Sequence, residues 1–354
     1  MSNISSGRRA PKWIAAACVA ACCVVPAAQV AAASATAVAV AGAGAVQDVS
    51  WLFPLNPPGV IAAKPSSSSL VHLPNSRLGF SEAQLTDLYF APDWHPESHA
   101  PMPEIVLRGR APGTYACGYC HLPSGAGRPE NAALAGLPAA YIVQQVTDIK
   151  SGARRSAWHG EAYRPVDLMR EVAANVAATD LAAAAEYFAA QPLQPRVTVI
   201  EVARIPRVEV MGWIYAIDPR GGVENLGQRL IEWAPDLSRH EHRDDEMRYN
   251  AFVPTGSVQR GREIATMGVS GQVASCSSCH GEHLQGVGLI PPLAGRSPSY
   301  LLRQLVAFQT MDRAGSGAAP MQAVVAALDM TDMIAVVAYA AGQSPLRPSK
   351  QPHF

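Results

Sequence analysis

Two short strings carry the chemistry of this chain. Ala116-Cys117-Gly118-Tyr119-Cys120-His121 and Ser275-Cys276-Ser277-Ser278-Cys279-His280 each set two thiols three residues apart, with an imidazole directly after. C-x-x-C-H is the spacing of covalent haem c attachment: two thiols reach two vinyl groups on one porphyrin edge, while the adjacent imidazole lands over the iron. A zinc ribbon would place its two pairs about 15 to 20 residues apart, whereas more than 150 residues separate these. A disulfide or a thioredoxin-like dithiol leaves the histidine after both pairs unexplained. The expectation is two covalently bound haems c, held by Cys117 and Cys120 with His121, and by Cys276 and Cys279 with His280.

Laying the chain on itself extends the duplication well beyond these strings. At an offset of 152, Leu107-Arg108-Gly109-Arg110 meets Gln259-Arg260-Gly261-Arg262. The offset becomes 159 for Cys117 and Cys276, Ala135-Gly136 and Ala294-Gly295, Tyr141 and Tyr300, and Gln145 and Gln304. It returns to 152 for Thr179-Asp180 and Thr331-Asp332, and for Tyr187 and Tyr339. In that last register Met169 falls opposite Met321. Most methionines fill cores, and Met311, Met330 and Met333 compete locally. Only Met169 and Met321 hold equivalent places, so a thioether from each loop is expected as the sixth ligand, opposite His121 and His280. His159 is the alternative in the first half.

These residues must be positioned by short helices, and the pattern supplies them twice. In the second copy Ser257 can cap a helix through Gln259 to Ile264, Tyr300 to Phe308 has one apolar face, and Thr331-Asp332 starts a last helix that Gly261 and Tyr339 let approach closely. The first copy repeats the middle and last helices as Ala139 to Ile149 and Thr179 to Ala190. Its first is reduced to Pro103 to Gly109, with Gly109 and Tyr187 as the matching pair. Between the copies, Val197 to Glu201, Arg207 to Tyr215 and Gln228 to Trp233 read as strands, with a turn at Pro219-Arg220-Gly221-Gly222. The run Arg239 to Glu246 reads as a solvated loop, its two histidines leaving a metal alternative open. Val49 to Met102, rich in proline and serine, is expected to wrap over the first haem domain, with His95 and His99 as weaker metal candidates. The expected fold class is mainly α: two helical haem domains joined by a small β-rich insert. The boundaries follow as a leader at 1–35, an extension at 36–102, haem domains at 103–191 and 255–346, an insert at 192–254 and a tail at 347–354.

The 354 residues are 49% hydrophobic and only 16% charged, which excludes a disordered or nucleic-acid-coating chain. Lys+Arg and Asp+Glu stand at 28 each, but Arg8, Arg9 and Lys12 lie in a first stretch without acids. The remainder has no basic footprint, so nucleic acid is not an expected partner. The basic start, the uncharged run from Trp13 to Ala33 and the small residues after it read as a signal peptide for periplasmic export. A retained membrane tether and a lipidated Cys22 stay open as alternatives, and Arg8-Arg9 lacks the apolar sequel of a twin-arginine signal. Cys18, Cys22 and Cys23 belong to that leader.

With CGYCH and AGLPAAYIVQQ in the first half and CSSCHG and PPLAGRSPSYLLRQL in the second, the chain resembles tandem two-haem cytochromes of the cytochrome c4 type. The resemblance covers roughly residues 103 to 191 and 256 to 344. It implies His/Met ligation, covalent haem c and electron transfer. It also implies a proline carbonyl accepting from the ligating imidazole; Pro292 fits that role, while the first half has Ala133 at the equivalent place. The resulting expectation is a respiratory electron carrier, not an enzyme, between a dehydrogenase or quinol-linked donor and an acceptor such as a terminal oxidase. Axial methionine, which raises the reduction potential, suits that place. Two alternatives remain: a two-haem enzyme, such as a peroxidase or an inorganic-substrate dehydrogenase, and a cytochrome subunit of a larger dehydrogenase.

Overall fold

The computed structural model describes residues 39–42, 44–56, 69–160, 164–269 and 273–345. The expected leader at 1–35, with Cys18, Cys22 and Cys23, and the expected tail at 347–354 lie outside these residues. Ahead of the first C-x-x-C-H come β1 (Ala39–Gly42) paired with β2 (Gly44–Asp48), then β3 (Leu70–His72) paired with β4 (Gly79–Ser81), and the short helix α1 (Glu82–Thr86). Ser81 and Gln84 close a reciprocal capping box on α1. The first half then runs through α2 (Glu104–Leu107), α3 (Cys117–His121), α4 (Ala139–Ser151), α5 (Arg164–Asn175) and α6 (Ala178–Ala190). The intervening segment holds β5 (Val197–Glu201), β6 (Arg204–Pro206), β7 (Val208–Met211), β8 (Ile214–Ile217), β9 (Val223–Asn225), β10 (Ile231–Trp233), α7 (Leu237–Glu241) and β11 (Tyr249–Val253). The second half follows as α8 (Ser257–Met267), α9 (Cys276–His280), α10 (Pro298–Gln309), α11 (Ala319–Val325) and α12 (Met330–Ala341).

A mainly helical pair of domains joined by an insert is not what forms. The chain is 39% helix and 16% strand, and it carries a five-stranded mixed sheet in the order β5-β11-β10-β8-β7. β5 runs parallel to β11 and β8 to β10, while β10 with β11 and β7 with β8 are antiparallel. The reason lies in the packing. One apolar core takes Leu52 and Phe53 from the extension, Ala157 from the first half, Leu230 and Val253 from the sheet segment, and Ile264, Leu302 and Val337 from the second half. Burying a side chain of this size is worth about 1.5–3 kcal/mol, so sheet and helices stabilise one another. Residues 36–354 make their contacts as one compact unit.

Several local expectations are corrected by the same packing. Arg207 to Tyr215 is not one strand but the hairpin β7–β8, turned at Gly212 with φ +67°. Ser257 is the first residue of α8, not its cap, and Gly256 precedes it at φ +89°. A β-carbon at Gly109 would meet first the backbone of residues 114–116. Gly261 performs as expected: a β-carbon there would collide with the Ala335 carbonyl and press on Tyr339, which is how α8 and α12 come so close. The extension divides. Leu52 and Phe53 pack with the second half, whereas Leu88, Tyr89 and Ala91 bond through their backbones to Ala116, Gly109 and Leu107 of the first.

Candidate functional site

Each C-x-x-C-H string is itself one short helix, α3 or α9, so cysteine, cysteine and histidine share one turn. Both helices end in the same chain reversal, at Leu122 with φ +66° and Gly281 with φ +84°. The histidine carbonyl then accepts from the backbone six residues on, Gly127 at 3.0 Å and Gly286 at 2.7 Å. The returning loop presents a carbonyl to each imidazole: His121 Nδ1 lies 2.8 Å from the Ala132 oxygen and His280 Nδ1 2.8 Å from the Pro291 oxygen. A carbonyl only accepts, so Nδ1 donates and Nε2 keeps its lone pair for a metal. Burial pushes both imidazoles below their usual pKa, with the carbonyl bond opposing, so both are neutral at pH 7.

The acceptor is therefore Pro291, not Pro292, and Ala132, not Ala133. Pro292 and Ala133 are otherwise engaged, both accepting from Arg296, at 2.7 and 2.5 Å. The four cysteines Cys117, Cys120, Cys276 and Cys279 form no disulfide. Burial pushes Cys117 up to about 12 and Cys276 up to about 11, which disfavours thiolates for zinc or exchange chemistry. Paired neutral thiols one helical turn apart, beside an imidazole with a free Nε2, fit an iron porphyrin carried on two thioethers.

Met169 and Met321 lie on helices, not in loops: Met169 on α5 and Met321 on α11, both half-buried. Met321 packs against the group formed by Phe308, Ala318 and Val325. Among the competitors Met330 and Met333 are core residues, while Met311 is exposed. His159 is spoken for: its Nε2 lies 2.9 Å from Asp312 of the second half.

Where the halves meet, the repeat becomes a pseudo-twofold exchange of hydrogen bonds. Arg154 donates to Gln145, Tyr300 and Gln304, each at 2.8 Å. Arg313 donates to Tyr141 at 2.6 Å, Gln145 at 2.8 Å and Gln304 at 3.2 Å. Arg154 and Arg313 stand 159 positions apart, the register of Tyr141/Tyr300 and Gln145/Gln304, so carrying that offset nine residues further would have found them. Burial raises the cost of ionising Tyr141, yet Arg313 and Arg154 outweigh it and hold the phenol below its usual range. Among the described residues neither arginine has an ion-pair partner.

The two halves differ in how their motifs are covered. The run Arg239 to Glu246 is no solvated loop: His240, Asp244 and Asp245 are buried. Arg128 bonds His240 at 2.7 Å and pairs with Glu130, while Asp244 meets Arg239 and lies 3.2 Å from His95. His99 is held by Asp93 and Tyr187. Of the histidines weighed as metal ligands, His95 meets Asp244 and Asp245 in a buried group between extension and insert whose ligand atoms lie within 4.8 Å of one another. Next to it the Arg243 guanidinium sits 3.7 Å from the ring centre of Tyr119, inside the first C-x-x-C-H. In the second half Cys279 is exposed, and Val287, Leu289 and Ile290 form an open apolar rim where the first half has the buried Arg128 and Glu130 and the half-buried Asn131.

Residues 258–342 match the family described as Cytochrome c. A stretch of 120 residues is 33% identical to cytochrome c4 of Azotobacter vinelandii, covering 30% of this chain and 54% of that protein. Another of 128 residues is 36% identical to the thiosulfate dehydrogenase electron acceptor of Thiomonas intermedia (strain K12), covering 32% of this chain and 56% of that one. A third, of 58 residues, is 45% identical to cytochrome c-554(547) of Halothiobacillus neapolitanus, with 15% and 63% covered. The chain thus spans little more than half the length of the first two relatives. No single described helix is long and apolar enough to cross a membrane.

Proposed function

We propose that this chain, with a cytochrome c domain at residues 258–342, is a two-haem c-type cytochrome that passes single electrons outside the cytoplasm. The observation that carries this reading is the duplicated donor geometry: in both halves a neutral histidine at the end of the C-x-x-C-H helix gives Nδ1–H to a carbonyl eleven residues on. Bound haem c supplies a one-electron Fe(III)/Fe(II) couple. The chain's own residues do the rest. Cys117 with Cys120 and Cys276 with Cys279 would hold the porphyrins, and His121 with Met169 and His280 with Met321 would ligate the irons. Arg154 and Arg313 would place positive charge where the halves meet. The haem-bearing units are residues 103–191 and 255–346.

Its place is between an exported dehydrogenase and a respiratory acceptor, a reading supported by a relative named as the electron acceptor of thiosulfate dehydrogenase. Because Arg243 and the insert roof the first motif while the second is open, partners exchange electrons at the second haem. A tether through residues 1–35 stays compatible with this.

The test is spectroscopic. Replacing Met169 with alanine opens only the first iron, and replacing Met321 only the second, each adding a high-spin signal to an otherwise low-spin ferric spectrum. A wild type that is already high-spin at one iron and turns over peroxide would favour an enzyme instead.

A further inference from the structure

Arg296 occupies a position that the repeat does not duplicate. At the offset of 159 its counterpart is the apolar Leu137, so one guanidinium serves both halves. It is buried, at 5% exposure, and forms no ion pair among the described residues. All three of its nitrogens bond to backbone carbonyls. Nε donates to Pro292 at 2.7 Å, one terminal nitrogen to Ala133 at 2.5 Å and the other to Ala135 at 2.9 Å. Burial lowers its pKa to about 10, which still leaves it a cation at neutral pH.

The neighbours of these carbonyls give the contact its meaning. The peptide before Pro292 presents the Pro291 oxygen to His280, and the peptide before Ala133 presents the Ala132 oxygen to His121. One cation therefore clamps together the two loops that orient the two metal-facing imidazoles. In each loop a carbonyl it holds, that of Pro292 or Ala133, is one residue on from the carbonyl that faces the imidazole. We propose that Arg296 is a positioning residue shared by both haems, fixing the two histidine-orienting loops against each other and raising both reduction potentials through its charge. This rests on the two-haem reading above.

The direction follows from electrostatics. A buried cation disfavours the ferric state relative to the ferrous one at any iron it faces, and low-dielectric surroundings screen it weakly. Removing the charge must therefore lower both potentials. A residue that only held the fold would weaken stability without moving two potentials the same way.

The experiment uses the full-length holoprotein. Haem is first counted by pyridine haemochrome, and a wild type with fewer than two haems would sink the two-haem reading itself. Both potentials are then measured by spectroelectrochemical titration in wild type and Arg296→Gln. With both haems retained, each reduction equilibrium in the variant should weaken roughly tenfold, about 59 mV for a one-electron couple. A fall at only one haem, or at neither, overturns the inference and leaves the two-haem reading standing. Should Arg296→Gln not mature with two haems, Arg296→Lys carries the test. Its ammonium keeps the charge but cannot reach Pro292 on one side and Ala133 with Ala135 on the other, so the melting midpoint should fall while both potentials stay near the wild-type values. A tenfold weakening of either reduction equilibrium with the charge retained would overturn the inference.

Discussion

Replacing Arg243 with alanine should unroof the first haem-binding motif while leaving its ligands alone. The guanidinium sits over Tyr119 at 3.7 Å and donates to the carbonyls of Glu241 at 2.9 Å and Leu85 at 3.2 Å. A desolvated cation–π contact is worth about 2 kcal/mol, and each hydrogen bond from a charged donor about 1.5–3 kcal/mol. Against this stands the cost of keeping the cation there. Burial first, and Arg128 second, push its pKa down to about 10, and its Nε has no partner. The net loss should therefore be about 1–2 kcal/mol, well short of unfolding. Equilibrium denaturation followed by tryptophan fluorescence reads that loss. Stopped-flow reduction by a small anionic reductant reads the function: the wild type should reduce in a fast and a slow phase, and the variant should accelerate only the slow one. If Arg243→Ala loses the predicted stability but leaves both phases unchanged, the insert does not shield the first haem, and the asymmetry argued from Tyr119 is wrong.

Three further outcomes follow from the same packing. Glu232 is buried with one oxygen accepting from Ser297 and Ser299 and the other unpartnered, and burial, against those bonds, raises its pKa. Its contribution is complete below the unfolded carboxylate range, near pH 4.3, and is lost as pH rises through the raised folded value. Melting curves across pH should thus find Glu232→Gln gaining on wild type as pH increases, whereas a constant difference would contradict this. Gly261→Ala forces α8 from α12 and should cost about 2 kcal/mol, seen as a lower denaturant midpoint; an unchanged midpoint would mean the helices part freely. Losing Met321 should lower the second haem's potential and Met169 the first's, measured by redox titration, and a shift at the wrong haem would reassign the ligands.

Local chemistry was the most legible part of the sequence. The spacing of Cys117, Cys120 and His121 sets all three on one helical turn, α3, and the same holds for Cys276, Cys279 and His280 on α9. Gly261 and the last helices were readable because close approach leaves a residue-type signature. What failed was anything decided across the chain. The run Arg239 to Glu246 looks solvated because its partners, Arg128 and His95, lie more than a hundred residues away. The acceptor carbonyl belongs to Pro291 because the backbone, not the side-chain type, sets which oxygen faces His280. The sheet's role was invisible for the same reason: the short strand Ile231–Trp233 is tied to the second half through Glu232, which accepts from Ser297 and Ser299 more than sixty residues away, and no local pattern records that.

The central claim is that one chain carries two haems c, on Cys117/Cys120 and on Cys276/Cys279. Mass spectrometry of the purified mature protein, after acid-acetone extraction and proteolysis, tests it most directly. The account predicts two haem-modified peptides, one containing each C-x-x-C-H string, and an intact mass raised by two haems. Haem on only one of the two peptides, or metal without haem on either, would contradict it.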